Sequence, residues 1–151
     1  MEAGIAGFRG LGGVPRQQYA IALLARVYAR MGRTEDALTT LDAALAHVER
    51  SGEKVELAEM QRLKGEALLM RVGSAIEEAE RCFRAAIELA RVQEAKWWEL
   101  RATVSLARLL RDTNRRDEAR VMLADIDAWF TEGFDTADLK DAKALLAELG
   151  N

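Results

Sequence analysis

Apolar residues recur along this chain at intervals of three and four. Ile21, Leu24, Ala25 and Tyr28 form one stripe, and Leu38, Leu41, Leu45 and Val48 a second. Leu63 and Leu68 continue the pattern, followed by Phe83, Ile87 and Ala90. Leu100, Val104, Ala107 and Leu110 come next, and Leu139, Leu145, Leu146 and Leu149 complete it. This is the period of a helix with one buried face; a half-buried strand would alternate at every second residue. The stripes break at Gly12-Gly13-Val14-Pro15, Gly32-Arg33-Thr34, Ser51-Gly52, Gly73-Ser74, Asn114 and Gly133-Phe134-Asp135. Gly and Asn tolerate the left-handed conformation that closes a helix. Start signals follow several breaks. Pro15 suits a first helical turn, and Thr34 is placed to cap a helix beginning at Glu35. Ser74 and Glu77 have capping-box spacing, and Asp135 or Thr136 can cap the last helix. The pattern predicts helices over 3–12, 16–31, 35–51, 54–71, 75–93, 95–112, 116–131 and 136–149. Short connections between them predict antiparallel neighbours.

Three segments align on one another. Leu24, Ala25, Tyr28, Gly32, Ala37, Leu41 and Ala44 form the first. Gly65, Leu68, Gly73, Ala79, Phe83 and Ala86 form the second. Leu106, Ala107, Leu110, Asn114, Ala119, Leu123 and Ile126 form the third. Equivalent positions recur at a period of about 40 with two helices per unit, the mark of a helical solenoid. A small residue at 25, 65 or 107 lets the second helix of its pair approach closely. Ala37, Ala79 and Ala119 are the reciprocal contacts, and Leu41, Phe83 and Leu123 fill the space between pairs. The chain is therefore expected to be all-α, an antiparallel helical-hairpin solenoid of seven or eight helices in one domain over 1–151. Residues 1–14 form a partial leading helix, 17–51, 54–93 and 95–131 the three repeats, and 135–149 a capping helix.

On these residues, and on Gly32-Arg33 followed by Ala37-Leu38, the chain resembles the tetratricopeptide repeat family. A narrower resemblance lies in 59–65, 79–90, 98–110 and 129–146. These stretches are similar to the C-terminal repeat region of large bacterial signalling ATPases, which often carry an adenylate/guanylate cyclase domain. The resemblance implies a regulatory protein-binding module. No GxxxxGK[ST] loop occurs, and Gly10-Leu-Gly-Gly13 reads as a helix stop.

Composition narrows the chemistry. A net charge of −3 argues against a general nucleic-acid binder. One Cys and one His leave no disulfide framework, no two-histidine metal site and no evident catalytic set. No cofactor and no enzymatic activity are expected. No basic-then-apolar leader opens the chain and no apolar run reaches ~18 residues, so a cytoplasmic protein without membrane contact is expected. Cys82 reads as a structural thiol and His47 as a surface residue. One ring of Trp97-Trp98 is expected in the core or a seam. Trp129-Phe130 and Phe134 are expected to form an aromatic plug beneath the last helix. Asp125, Asp127, Glu132, Asp135, Asp138 and Asp141 read as a solvated acidic face.

Seventeen arginines stand against five lysines. The first helix of each pair would line a concave groove. Counting into each repeat places Arg26, Arg62, Arg108 and Arg111 there, as a basic strip for a peptide carboxylate or acidic segment. The expected function is a non-catalytic protein- or peptide-binding module. The alternative is a small-ligand-sensing or autoinhibitory docking domain for a linked nucleotide-binding module. Self-association as a homodimer is expected through Ile5, Phe8 and Leu11 of the leading helix, which lack a partner helix.

Overall fold

The computed structural model describes residues 14–52, 54 and 56–151. The predicted helix over 3–12, its Ile5, Phe8 and Leu11 face and the Gly10 to Gly13 turn lie outside the described residues. Seven helices and no strand occur among the described residues. They are α1 (Val14–Arg30), α2 (Thr34–Ser51), α3 (Leu57–Met70), α4 (Ile76–Val92), α5 (Lys96–Asp112), α6 (Arg116–Trp129) and α7 (Ala137–Gly150). The boundaries lie within about three residues of those the periodicity predicts.

Each of the six connections contains a residue with positive φ: Gly32, Gly52, Gly73, Glu94, Asn114 and Gly133. Five of these are where the apolar stripes break. Glu94, at φ 54°, is the exception, a residue with a Cβ held in the left-handed region. Its loop is closed as the loops at Gly32 and Asn114 are. The Arg33, Ala95 and Arg115 N–H groups donate to the carbonyls of Tyr28, Ala90 and Leu110 at 2.9, 2.8 and 2.7 Å. This six-to-one bond is the Schellman closure. The carbonyl of the same residue then accepts the first bond of the next helix, from Ala37, Glu99 or Ala119. Stop and start thus share one residue, and the chain reverses in three.

These backbone turns displace the side-chain caps that the sequence suggests. Thr34 is the first residue inside α2, and Arg33 precedes it as the cap position. Ala75 holds the cap position of α4, so Ser74 and Glu77 form no capping box. Thr136 does occupy the cap position of α7, but its hydroxyl donates back to the Gly133 carbonyl at 2.7 Å and closes the loop instead.

Consecutive helices pack as antiparallel hairpins. In addition α1 packs on α3, α3 on α5 and α5 on α7, whereas α2, α4 and α6 do not approach one another along their backbones among the described residues. The row of odd-numbered helices is therefore the tighter, inner row, and its face is the concave side of a helical-hairpin solenoid. Ala37, Ala79 and Ala119 are fully buried, as are Leu41, Phe83 and Leu123.

The closest approach is at Gly65. A Cβ there would lie 2.5 Å from the Phe83 ring, nearer than packed atoms approach. Glycine to alanine inside a helix ordinarily gains about 1 kcal/mol. Here the Phe83 ring is buried and has nowhere to go, and overpacking costs about 1–3 kcal/mol. Gly65→Ala is expected to lower the melting temperature, and Phe83→Leu in the same chain to cost less than it does alone. An increased melting temperature for Gly65→Ala would show that α3 and α4 are farther apart than described.

Candidate binding groove

The inner row presents one face of α1, α3, α5 and α7 to a shared groove. Two adjoining cavities lie in it, of about 150 and 400 Å3, and both are lined by Arg26, Arg62, Arg108 and Asp141. Leu100, Arg101, Val104, Ser105 and Asp138 complete the smaller. The larger has an apolar floor that includes Ala29, Leu63, Ala67 and Met70, with Arg30 at its edge. Three of the four arginines placed in the groove by sequence thus come together from three helices. Arg111 lines neither cavity. It is turned to Asp112 at 2.8 Å and to Glu148 on α7 at 3.0 Å. Arg30 and Arg101 belong to the groove and were missed. The signal for both was helical spacing, four residues after Arg26 and seven before Arg108.

These cations differ in what they already hold. Arg62 is only 12% exposed at its side chain. Its Nε and Nη2 donate to both Glu59 oxygens at 2.8 Å, and its Nη1 donates to Glu66 and, at 3.3 Å, to Ser105 Oγ. Burial alone would lower its pKa. The bonds and fields of Glu59, Glu66 and Asp138 outweigh that, and the guanidinium holds its proton more tightly than usual. Arg101 donates to Asp138 at 3.0 Å and lies 5.6 Å over the Trp98 ring. Arg108 donates to Asp141 at 3.2 Å. Asp138, Asp141 and Glu148 of α7 therefore meet Arg101, Arg108 and Arg111 of α5 as three rungs between parallel helices. The reading of these carboxylates as a solvated face is corrected for Asp138, which is half-buried against Arg101, while Asp141 stays exposed and also pairs with Arg108. Arg26 and Arg30 are exposed and form no ion pair with any described residue. The groove's unbalanced positive charge sits at its α1 edge.

The remaining candidates lie elsewhere. Cys82 is buried, and burial pushes its thiol up, so it is no thiolate. His47 is exposed on α2. No group of three His, Cys, Asp or Glu that could hold a metal occurs among the described residues. No helix among them is long and apolar enough to cross a membrane. Neither Trp97 nor Trp98 is in the core. Trp97 is exposed and stacks on Phe130 at 4.7 Å, and Trp98 is half-buried under Arg101. Of the expected plug only Phe130 is buried, because α6 ends at Trp129 and the extended backbone at Phe130 turns that ring inward. Trp129 and Phe134 are exposed.

No protein-family model matches this chain, and no curated protein is significantly similar to it.

Two predictions follow from the ion pairs. Arg62→Met strands Glu59, and breaking a buried pair from one side costs about 3–5 kcal/mol. Chemical denaturation is expected to show that loss and its partial recovery when Glu59→Gln is added; no loss would place Arg62 in solvent. At the α4–α5 turn, Glu99 accepts from Arg91 at 2.9 Å and Lys96 at 2.8 Å. Burial alone would raise its pKa, but the Lys96 and Arg91 bonds outweigh that and hold it below its ordinary 4.5. Its stabilising effect is therefore full above that value and is lost as pH falls through the lower, folded one. Glu99→Gln is expected to be less stable than the parent at neutral pH and to lose less stability on acidification. Parallel pH profiles would exclude Glu99 as a contributor.

Proposed function

We propose that this chain is a non-catalytic protein-interaction module of the tetratricopeptide type. In this reading its concave groove receives an acidic and apolar peptide segment. The observation that carries it is the α1 edge. Arg26 and Arg30 pair with no described residue there and flank an apolar-floored cavity of about 400 Å3. A carboxylate meets two free guanidinium groups and its neighbouring apolar side chains meet Leu63, Ala67 and Met70. Helix pairs at a period of about 40 and the buried small residues 37, 79 and 119 support the tetratricopeptide assignment. A regulatory, cytoplasmic setting is what the resemblance of 59–65, 79–90, 98–110 and 129–146 to repeat regions of bacterial signalling ATPases and cyclases implies. The raised thiol of Cys82 and the exposed position of His47 support a non-enzymatic role.

The smaller cavity supports a second reading, a small-ligand sensor. At about 150 Å3, with Arg26, Arg108 and Ser105 on its wall, it has room for a small carboxylate or phosphate but not for a peptide.

A fluorescein-labelled peptide of alternating Glu and Leu, titrated against its Lys-and-Leu counterpart, tests the first reading. Preferential binding of the acidic peptide is expected, weakened by salt and reduced about tenfold or more by Arg26→Glu with Arg30→Glu. Equal binding of both peptides, or indifference to the two reversals, would overturn it. Phosphate or citrate binding without peptide binding would favour the sensor.

A further inference from the structure

Among the described residues, α1 and α6 each carry a stripe of exposed apolar side chains. On α1, Tyr19, Leu23, Arg26 and Arg30 recur at intervals of four, three and four and so share one stripe. Tyr19 is 55% exposed and Leu23 is exposed beside it. On α6 the solvent-facing positions from 121 to 129 are Val121, Ala124, Asp125, Ala128 and Trp129. Val121 is 59% exposed and Trp129 57%, and Asp125 is the single charge on that face. Its counterpart in the outer row, α4, exposes Ile76 and Val92 at its two ends but turns Glu77, Arg81, Glu88 and Arg91 outward between them. Trp129 lies edge-on against buried Phe130 at 5.1 Å, and Phe134 is exposed in the loop before α7.

The charges of the two faces are opposite. From Val121 to Leu139 there is no Lys or Arg. Asp125, Glu132 and Asp135 pair with no cation among the described residues, and Arg26 and Arg30 of α1 pair with no carboxylate among them. The rings of this edge already take cations from elsewhere in the chain. Lys96 lies 5.7 Å over Trp129 and Lys143 4.1 Å over Phe134, the arrangement in which an arginine also binds a ring.

We propose that these faces are the two halves of one interface: the α6 edge of one copy, with Asp125, Trp129 and Asp135, seats on the Tyr19-Leu23-Arg26-Arg30 stripe of a second copy. The inference names a partner for the α1 edge of the groove and so rests on the reading of that edge as a binding site. Pairing α6 with α6 across a two-fold axis would instead set Asp125, Glu132 and Asp135 against like charges. Within one chain α1 and α6 do not pack together. The contact is therefore heterologous, each copy offering one face of each kind, and assembly grows head to tail with concentration or closes into a ring. It differs in this from the two-fold dimer expected from the leading helix.

Sedimentation velocity from about 5 to 200 μM tests it. The parent is expected to move from its 16.8 kDa monomer to larger species. Arg26→Glu with Arg30→Glu removes one face, and Trp129→Glu removes the other; all three positions are exposed, and circular dichroism checks that each variant is folded. Each variant alone is expected to associate at least tenfold more weakly. Mixed in equal amounts they retain one intact pair of faces and are expected to form a dimer that grows no further. A parent that stays monomeric, association that neither variant weakens, or a mixture that does not dimerise would each overturn the proposal. Acidic-peptide binding by a monomeric parent, lost on reversing Arg26 and Arg30, would overturn it while leaving the groove reading in place. Association without peptide binding would do the reverse.

Discussion

A guanidinium almost closed off from water governs the inner row. Arg62 is taken from solvent between three helices, and a charge so placed is tolerated only when its donors are met. Glu59 and Glu66, one turn to either side on α3, meet most of them. Both carboxylates are then engaged a second time from α5, Glu66 by the Ser105 hydroxyl at 3.0 Å and Glu59 by Arg101 at 3.5 Å. Arg101 in turn reaches Asp138 on α7. One chain of charge-assisted bonds therefore crosses α3, α5 and α7 at a single level. It fixes the rotation of each helix about its own axis, which apolar contacts between alanines and leucines leave loosely defined. The cavities of the groove are the spaces left beside this chain, so their shape depends on it.

The outer row is held by a different device. α4 and α6 do not touch along their backbones, yet Arg84 and Arg115 each bond both Glu80 and Glu118, at 2.7 to 3.1 Å. Burial on the inside and a partly exposed ring of two arginines and two glutamates on the outside let the two rows diverge without losing register. Such exposed pairs contribute little singly; closed into a ring, they limit how far α4 and α6 can splay. The solenoid thus has a short, stiff inner edge and a longer outer edge spanned by side chains, which is the geometry of a concave surface.

Helix positions and the core were legible in the sequence because both follow from local periodicity. Leu41, Phe83 and Leu123 are buried where the repeat alignment puts them, and Gly65 lies against Phe83 as its size requires. The α4–α5 turn was partly hidden, since Glu94 bears no mark of the left-handed conformation it adopts. The cap assignment at Thr34 failed for a related reason: a turn closed by its own backbone bonds leaves a capping hydroxyl nothing to do; that at Ser74 failed because α4 starts one residue later, with Ala75 at the cap position. The ion pairs were the least legible. Arg101 and Asp138 are 37 residues apart, Arg108 and Asp141 33, and Arg84 and Glu118 34. No local rule pairs residues at that distance. In a solenoid it is close to one repeat, and alternate helices run parallel, so opposite charges about one period apart face each other. That search pairs Arg108 with Asp141 and Arg111 with Glu148, whereas the carboxylates of Arg62, Glu59 and Glu66, are local to α3.

The difference between these paired arginines and Arg26 decides where the groove can act. A carboxylate arriving at Arg62, Arg101 or Arg108 must displace Glu59, Glu66, Asp138 or Asp141, each tethered within reach and therefore present at a very high effective concentration. Exchange of one carboxylate for another at those positions gains almost nothing. At Arg26 and Arg30 there is no tethered competitor among the described residues, so a new ion pair adds to the total. α7 shows what the inner row does with an acidic helix: it lies parallel to α5, buries Leu139, Ala142 and Leu145, and spends Asp138, Asp141 and Glu148 on three arginines. α1 carries the same kind of cations at the opposite end of the row, with no such helix against them among the described residues. Proposed binding at the α1 edge is thus the molecule's own internal contact, repeated where self-pairing runs out.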